Sequence, residues 1–204
     1  MGSSNVLEEP SQACHTSRPA FDLLMSKLRC PTVRLGTVRR SSLIDRLARQ
    51  DLPPIVSVVA PAGYGKTTLL SQWADSNSQA VAWVSVDDGD NDPRVLLTYV
   101  AAALDAVQPV GQRVFDALAS PVSSVPGSIV PRLGAALAAM TSPVVLVLDD
   151  VHLLNNSECR AALSVLADHV PDGSRLAFAG RAEPPRCASS SPRSALQAHQ
   201  GRRP

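Results

Sequence analysis

Residues 55–70 read IVSVVAPAGYGKTTLL, and this stretch decides the fold. Its first part, residues 55–60, is a mostly apolar run rich in β-branched residues, which is typical of a strand buried on both faces of a parallel sheet. A turn with two glycines follows, and a helix is predicted from Thr67 onward. A strand, a glycine-bearing turn and a helix in this order predict a backbone nest for phosphate oxygens at the helix N-terminus.

The turn matches the P-loop pattern, with alanine at the position of the usual first glycine. Gly63 and Gly65 allow the backbone angles that turn successive N–H groups inward. We expect the Lys66 ammonium to reach the β- and γ-phosphates and the Thr67 hydroxyl to ligate Mg²⁺. ATP or ADP with Mg²⁺ is therefore the predicted ligand. The loop residues predicted to bind it are Pro61, Ala62, Gly63, Tyr64, Gly65, Lys66, Thr67 and Thr68.

Strands and helices alternate after this loop. Three further apolar runs, at 81–86, 144–148 and 175–179, are predicted strands. Helices are predicted at 42–50, 67–74, 92–104, 129–140 and 157–169, with a short one near 114–118. This alternation indicates an α/β fold with a doubly wound parallel sheet, here a P-loop NTPase with about four strands.

The strand at 144–148 ends in two acids, Asp149 and Asp150. This ending is typical of a Walker B strand, although apolar strands that end in acids are common elsewhere. Next to a P-loop, Asp149 is expected to hold Mg²⁺ through water, and Asp150 to orient or polarise the attacking water. His152 either lines this site or makes a structural hydrogen bond.

Charged residues outside the two motifs have more than one interpretation. Arg181 directly follows the fourth strand, where an arginine can sense the γ-phosphate, and an ordinary solvated arginine is the alternative. With Lys66 and Asp150, Arg181 completes the predicted catalytic set. The aspartates of residues 87–92 favour a solvated turn with a helix cap over a Ca²⁺ loop, because the expected twelfth-position glutamate is absent.

The composition, 45% hydrophobic and 18% charged, is normal for a soluble globular domain, and the net charge of +1 indicates neither nucleic acid nor membrane. Residues 186–204 contain four arginines and no acid, which leaves 15 basic against 18 acidic residues elsewhere. DNA binding by this chain alone is therefore not expected. No signal peptide and no apolar run of membrane-spanning length are visible, so a cytoplasmic protein is predicted.

We expect three parts along the chain. Residues 1–32 are predicted to be a flexible leader, residues 33–185 the NTPase domain, and residues 186–204 a disordered basic tail rich in serine, arginine, glutamine and alanine.

Residues 33–185 resemble the ATPase domain of MalT-like LuxR-type transcriptional regulators. These belong to the signal-transduction ATPases with numerous domains, which are relatives of the AAA+ class. Six blocks agree in order: 38–43 (VRRSSL), 60–73 (APAGYGKTTLLSQW), 81–87 (VAWVSVD), 90–93 (DNDP), 148–154 (LDDVHLL) and 180–185 (GRAEPP).

The resemblance implies roles for particular residues. Arg40 is placed near the adenine end of the site, where a surface charge is the other interpretation. Asp149 and Asp150 are implied to form the Walker B pair, and Arg181 the nucleotide sensor. In this family ADP holds a closed resting state, and ATP with an inducer favours self-association. A C-terminal helix-turn-helix then binds promoter DNA, and hydrolysis resets the switch.

The family continues beyond this region with a fifth strand, a winged-helix segment, helical repeats and the DNA-reading domain. None of these is visible after residue 185, and we expect the fifth strand to be missing beside the P-loop strand, which would leave residues 55–60 as an exposed apolar edge. A truncated or frame-shifted product fits this expectation. The alternative functions are a stand-alone P-loop ATPase or kinase and a non-functional remnant.

Overall fold

The computed structural model describes residues 21–49 and 51–182, together with the backbone of residues 195–197. Five parallel strands form one sheet in the order β2-β3-β4-β1-β5. The strands are β1 (Ile55–Val59), β2 (Ala80–Ser85), β3 (Val144–Asp149), β4 (Arg175–Gly180) and β5 (Ala195–Gln197). The predicted α/β class and parallel sheet are confirmed.

Six helices accompany the strands in the described part of the chain. They are α1 (Ser41–Ala48), α2 (Lys66–Ser76), α3 (Pro93–Asp105), α4 (Gln112–Ala119), α5 (Val130–Ala138) and α6 (Ser157–Ala167). Short 3-10 turns occur at Met25–Leu28, Asp88–Asn91 and Val151–Leu153, and one π-helical turn at Val125–Ile129 precedes α5. Each predicted helix is present, with bounds that differ by a few residues.

The sheet is covered on both faces because alternate side chains of each strand point to opposite sides. On one side Val56, Val58 and Val147 pack with residues of α1 and α2 such as Leu47 and Trp73. On the other side the core is formed with α3, α4, α5 and α6. Every residue of β3 is buried, as expected for a strand with neighbours on both sides.

The expectation of a missing fifth strand is wrong. Residues 195–197 run parallel to β1, with Ser57 opposite Ala195 and Val59 opposite Gln197. The prediction relied on the lack of β-branched residues in the tail. A parallel ladder, however, is made by backbone N–H and C=O groups, so an unpaired edge can accept a segment of weak β propensity. The predicted disorder of the other tail residues lies outside the described part of the chain.

The described part of the expected leader, residues 21–32, packs against the sheet. Its Lys27 is 8% exposed, and the Lys27 ammonium lies 2.5 Å from Asp90 Oδ2 and 4.4 Å from the centre of the Tyr99 ring. Asp90 is 0% exposed, so the solvated turn expected at 87–92 is incorrect for this residue. The expected cap is confirmed at Asp92, whose Oδ1 accepts hydrogen bonds from the backbone N–H groups of Arg94 and Val95.

Candidate nucleotide-binding site

The loop between β1 and α2 has the backbone shape predicted for a phosphate nest. Gly63 and Gly65 both lie in the left-handed region, with φ of 80° and 72°. Helix α2 begins at Lys66, and the N–H of Leu69 donates to the carbonyl of Gly65 at 2.9 Å. The first N–H groups of α2 therefore face the concave side of the loop, where an anion is stabilised by the helix N-terminus.

The Lys66 side chain extends from the start of α2 back to the first residues of this loop. Its side chain is nearly buried, and its Nζ donates to the carbonyl oxygens of Ala60 at 3.0 Å and Pro61 at 3.3 Å. The ammonium is thus held at the mouth of the loop by two neutral acceptors. A phosphate oxygen would give it a charged acceptor, and hydrogen bonds of that kind are about twice as strong as neutral ones.

A hydrogen bond links the P-loop helix to the end of β3. Thr67 Oγ1 donates to Asp149 Oδ2 at 2.6 Å, although the two residues are 82 positions apart in the sequence. The backbone N–H of Asp150 donates to the other oxygen, Asp149 Oδ1, at 3.0 Å. The structure therefore brings together the two residues predicted as metal ligands.

Asp149 is 3% exposed, and burial raises the pKa of its carboxyl above the ordinary value, an effect that the hydrogen bond from Thr67 only partly offsets. A buried carboxylate of this kind gains much from a nearby divalent cation. The pair of hydroxyl and carboxylate oxygens suits Mg²⁺, which prefers oxygen ligands. Among the described residues no group of three or more His, Cys, Asp and Glu lies together as a candidate metal site.

Asp150 adopts an unusual backbone conformation, with φ of 60°, the one positive value at a non-glycine residue in the described ranges. Its side chain is 46% exposed, and its Oδ1 lies 3.7 Å from Nδ1 of His152. Both ring nitrogens of His152 are buried and have no hydrogen-bond partner among the described residues. The structural hydrogen bond considered for His152 is therefore absent from the described part, and its ring lies beside the Asp150 carboxylate.

The end of β4 lies between the two motifs because β4 separates β1 from β3. The N–H of Ala60 donates to the carbonyl of Gly180 at 3.2 Å. A Cβ added to Gly180 would be 3.4 Å from Val151 and 3.6 Å from His152. Arg181 follows immediately and is exposed. The sensor role of Arg181 stays a prediction.

Arg40 also lies at the loop. Its Nη2 is 3.4 Å from the position that a Cβ on Gly65 would take. Neighbouring Arg39 instead donates to Ser76 Oγ at 2.8 Å, on the outside of α2. The remaining predicted loop residues lie on its open side, where Pro61, Ala62 and Tyr64 are exposed and Thr68 is partly buried.

Gln72 was not predicted from the sequence; it is a buried amide on α2 that holds the backbone of residues 38–40. The available signal was a polar side chain on the face of α2 that also carries the buried Leu69 and Trp73. Such a position requires hydrogen-bond partners inside the protein.

A parallel sheet, a glycine-bearing loop at a helix N-terminus and an acidic strand end bonded to that helix define a P-loop ATPase domain. The family model of the AAA ATPase domain matches residues 40–178. The chain belongs to this family. No helix within the described ranges is long and apolar enough to cross a membrane.

Similar proteins include two bacterial regulators. The HTH-type transcriptional regulator MalT of Cronobacter sakazakii is 33% identical over 160 residues, which cover 78% of this chain and 18% of the regulator. The MalT of Serratia proteamaculans is 33% identical over 164 residues, or 80% of this chain and 18% of the regulator. The chain thus spans about a fifth of the length of these relatives.

The structure of the Aeropyrum pernix ORC1 protein, determined in complex with DNA, is also similar. Its TM-score is 0.52 at 19% identity, over 81% of this chain and 46% of that chain. This similarity concerns the fold alone.

Proposed function

We propose that this chain binds ATP and ADP together with Mg²⁺ and serves as the nucleotide-dependent switch of a MalT-like transcriptional regulator. The observation that carries the nucleotide site is the 2.6 Å hydrogen bond between Thr67 and Asp149, which joins the P-loop helix to the acidic end of β3. The 33% identity to MalT regulators supports the assignment to a switch.

The residues have distinct proposed roles. The loop N–H groups, Lys66 and the start of α2 bind the phosphates. Thr67 and Asp149 hold Mg²⁺, which when bound neutralises charge on the phosphate oxygens. Asp150, with His152 beside it, orients water for slow hydrolysis, and Arg181 registers whether a γ-phosphate is present.

Calorimetry with MgADP and MgATP tests nucleotide binding. We expect Lys66→Ala to abolish measurable binding, because it removes the ammonium that contacts the phosphates. Arg132→Ala is the matched control, because Arg132 is an exposed basic residue on α5, on the opposite face of the sheet. Failure of the unmodified protein to bind either nucleotide, or unchanged binding by Lys66→Ala, would show that the proposal is wrong.

The switch role requires a difference between the two nucleotides. We expect light scattering after gel filtration to show a larger species with MgATP than with MgADP, and Asp150→Asn to prolong the ATP-bound species by slowing hydrolysis. The same mass with both nucleotides would contradict the switch. Transfer of phosphate to a metabolite faster than to water would instead indicate a small-molecule kinase.

A further inference from the structure

The backbone just before α1 is attached to the P-loop helix by one side chain. Gln72, on α2, donates from Nε2 to the carbonyl of Val38 at 3.1 Å and accepts at Oε1 from the N–H of Arg40 at 3.3 Å. A primary amide has a donor and an acceptor side by side, so it can pair with the backbone as a neighbouring strand would. Residues 38–40 are thus paired to α2 without being part of the sheet.

Because Gln72 is buried, loss of either of its hydrogen bonds to residues 38–40 would be unfavourable. Gln72 is 5% exposed, and a buried amide that loses its hydrogen bonds is costly. Its side chain therefore favours the one arrangement in which both Val38 and Arg40 are bonded. By contrast, the second link between these elements, from Arg39 to Ser76, is exposed to solvent, where such bonds contribute little.

Both backbone polar groups of Arg40 are hydrogen-bonded. Its N–H is bound by Gln72, and its carbonyl accepts from the N–H groups of Leu43 and Ile44, both at 3.0 Å, at the start of α1. Ile44 is buried, which anchors α1 against the sheet. With the backbone held in this way, the Arg40 guanidinium lies over the P-loop beside Gly65.

We infer that Gln72 is a positioning residue for the nucleotide: it holds residues 38–40 on α2 so that Arg40 reaches a nucleotide in the P-loop. This inference rests on the proposed nucleotide binding. Because the backbone that carries the Arg40 side chain is held before binding, less conformational freedom is lost when the guanidinium contacts the ligand, so its contribution to affinity is larger.

A double-mutant cycle measured by calorimetry with MgADP tests this role. Arg40→Ala is expected to weaken binding about tenfold, as for loss of a charged hydrogen bond. Gln72→Met preserves the length of the side chain and removes both bonds, and we expect it to weaken binding about three- to tenfold. In the double variant, binding should be no weaker than in Arg40→Ala alone, because Gln72 acts through Arg40.

Two further variants separate positioning from folding. Ser71→Ala changes the adjacent buried polar residue of α2, which makes no hydrogen bond to residues 38–40, and should leave the affinity unchanged. Gln72→Asn keeps the amide but shortens the side chain, so it cannot bond both Val38 and Arg40, and it should weaken MgADP binding about threefold, again only when Arg40 is present. Gln72→Asn decides the question if Gln72→Met does not fold, which thermal melting will show.

The possible results distinguish this inference from the proposed function. Unchanged affinity in folded Gln72→Met, or an undiminished effect of Gln72→Met in the Arg40→Ala background, would overturn the positioning role. If Arg40→Ala binds MgADP as tightly as the unmodified protein does, the positioning role is wrong, whereas the proposed nucleotide binding stands. Absence of binding by the unmodified protein would overturn both.

Discussion

The ion pair between Lys27 and Asp90 gives the most direct test of how the chain is held together. We consider Lys27→Met, which keeps the unbranched stem and removes the ammonium. Asp90 is 0% exposed, and its Oδ1 already has no hydrogen-bond partner among the described residues. In the variant, the one bond that its Oδ2 retains from the described part of the chain is that from the N–H of Asp87, at 2.9 Å. The substitution therefore leaves a buried and poorly compensated carboxylate.

The expected loss of stability in Lys27→Met follows from the burial of Asp90. Removing one partner of a buried ion pair costs about 3–5 kcal/mol, and we expect about 3 kcal/mol because the Asp87 N–H remains. The contact of the Lys27 ammonium with the Tyr99 ring, at 4.4 Å, adds to the loss. For a chain of this length, 1 kcal/mol corresponds to about 2–4 °C in Tm, so the expected decrease is about 6–12 °C.

The assay is thermal and urea unfolding of four proteins: the unmodified chain, Lys27→Met, Asp90→Asn and the double variant. The double variant should recover at least half of the loss in Lys27→Met, because the buried charge is then gone. Arg49→Met is the matched control. It breaks the Arg49–Asp51 pair, whose side chains are 62% and 66% exposed, and should leave Tm nearly unchanged. A decrease of less than about 1 kcal/mol in Lys27→Met would refute the reasoning.

The same pair predicts a pH dependence. Burial lowers the pKa of Lys27, but the hydrogen bonds and charges of Asp90 and Asp87 outweigh it and hold the pKa above its ordinary value. The folded state therefore binds this proton more tightly than the unfolded state does. The stabilisation is complete below about pH 10.4, the ordinary lysine pKa, and is lost as the pH rises through the higher folded value. Urea titrations of the unmodified chain and Lys27→Met should converge in that alkaline range.

Two more substitutions have clear expectations. Asp149→Asn should raise Tm without nucleotide, because it removes a buried charge while the amide can still donate to Thr67 Oγ1 and accept from the Asp150 N–H. It should also weaken the Mg²⁺ dependence of nucleotide binding. A lower Tm in melts without nucleotide would contradict this expectation. Asp92→Ala should lower the free energy of unfolding in urea by about 0.5–2 kcal/mol, because it removes the cap of α3. The control Asp45→Ala, at an exposed position, should have little effect. Equal losses of stability in the two variants would argue against the cap.

The sequence predicted the sheet and the loop well because their signals are local. A buried parallel strand is a short apolar run, and two glycines before a lysine and a threonine specify a loop whose backbone conformation few other sequences adopt. The contact between Thr67 and Asp149 was also predictable, since the carboxyl ends of parallel strands lie at one edge of the sheet.

Other features depend on contacts between distant residues and have no local signal. Asp90 lies in a run of aspartates that suits a solvated turn, and its burial depends on Lys27, 63 residues earlier. Gln72 has the same character, since its partners are 32 and 34 residues earlier. The fifth strand was missed because pairing at a sheet edge depends on the backbone groups left open by β1.

Residues 87–92 contact both residues 21–32, through the Lys27–Asp90 pair, and the turn after β3, through Asn91. These contacts bear on the proposed ATP hydrolysis. Asn91, next to Asp90, donates from Nδ2 to the carbonyl of Leu153 at 2.9 Å, and its Oδ1 accepts from the N–H groups of Asn155 and Asn156 at 2.7 and 3.0 Å. These bonds fix the end of the 3-10 turn that contains His152.

Asp90 and Asn91 are adjacent, so loss of the Lys27–Asp90 ion pair in Lys27→Met should make residues 87–92 more mobile and hold this turn less firmly. Asp150 and His152 would then be less well placed to orient the water of the proposed hydrolysis. If the chain hydrolyses ATP as proposed, Lys27→Met should lower the rate when it is assayed well below the melting temperature of the variant. Its MgADP affinity, which the proposal assigns to the P-loop, should change little. Asn91→Ala should reproduce the loss of rate with Lys27 intact. A normal rate in Asn91→Ala would show that this loop does not position the turn.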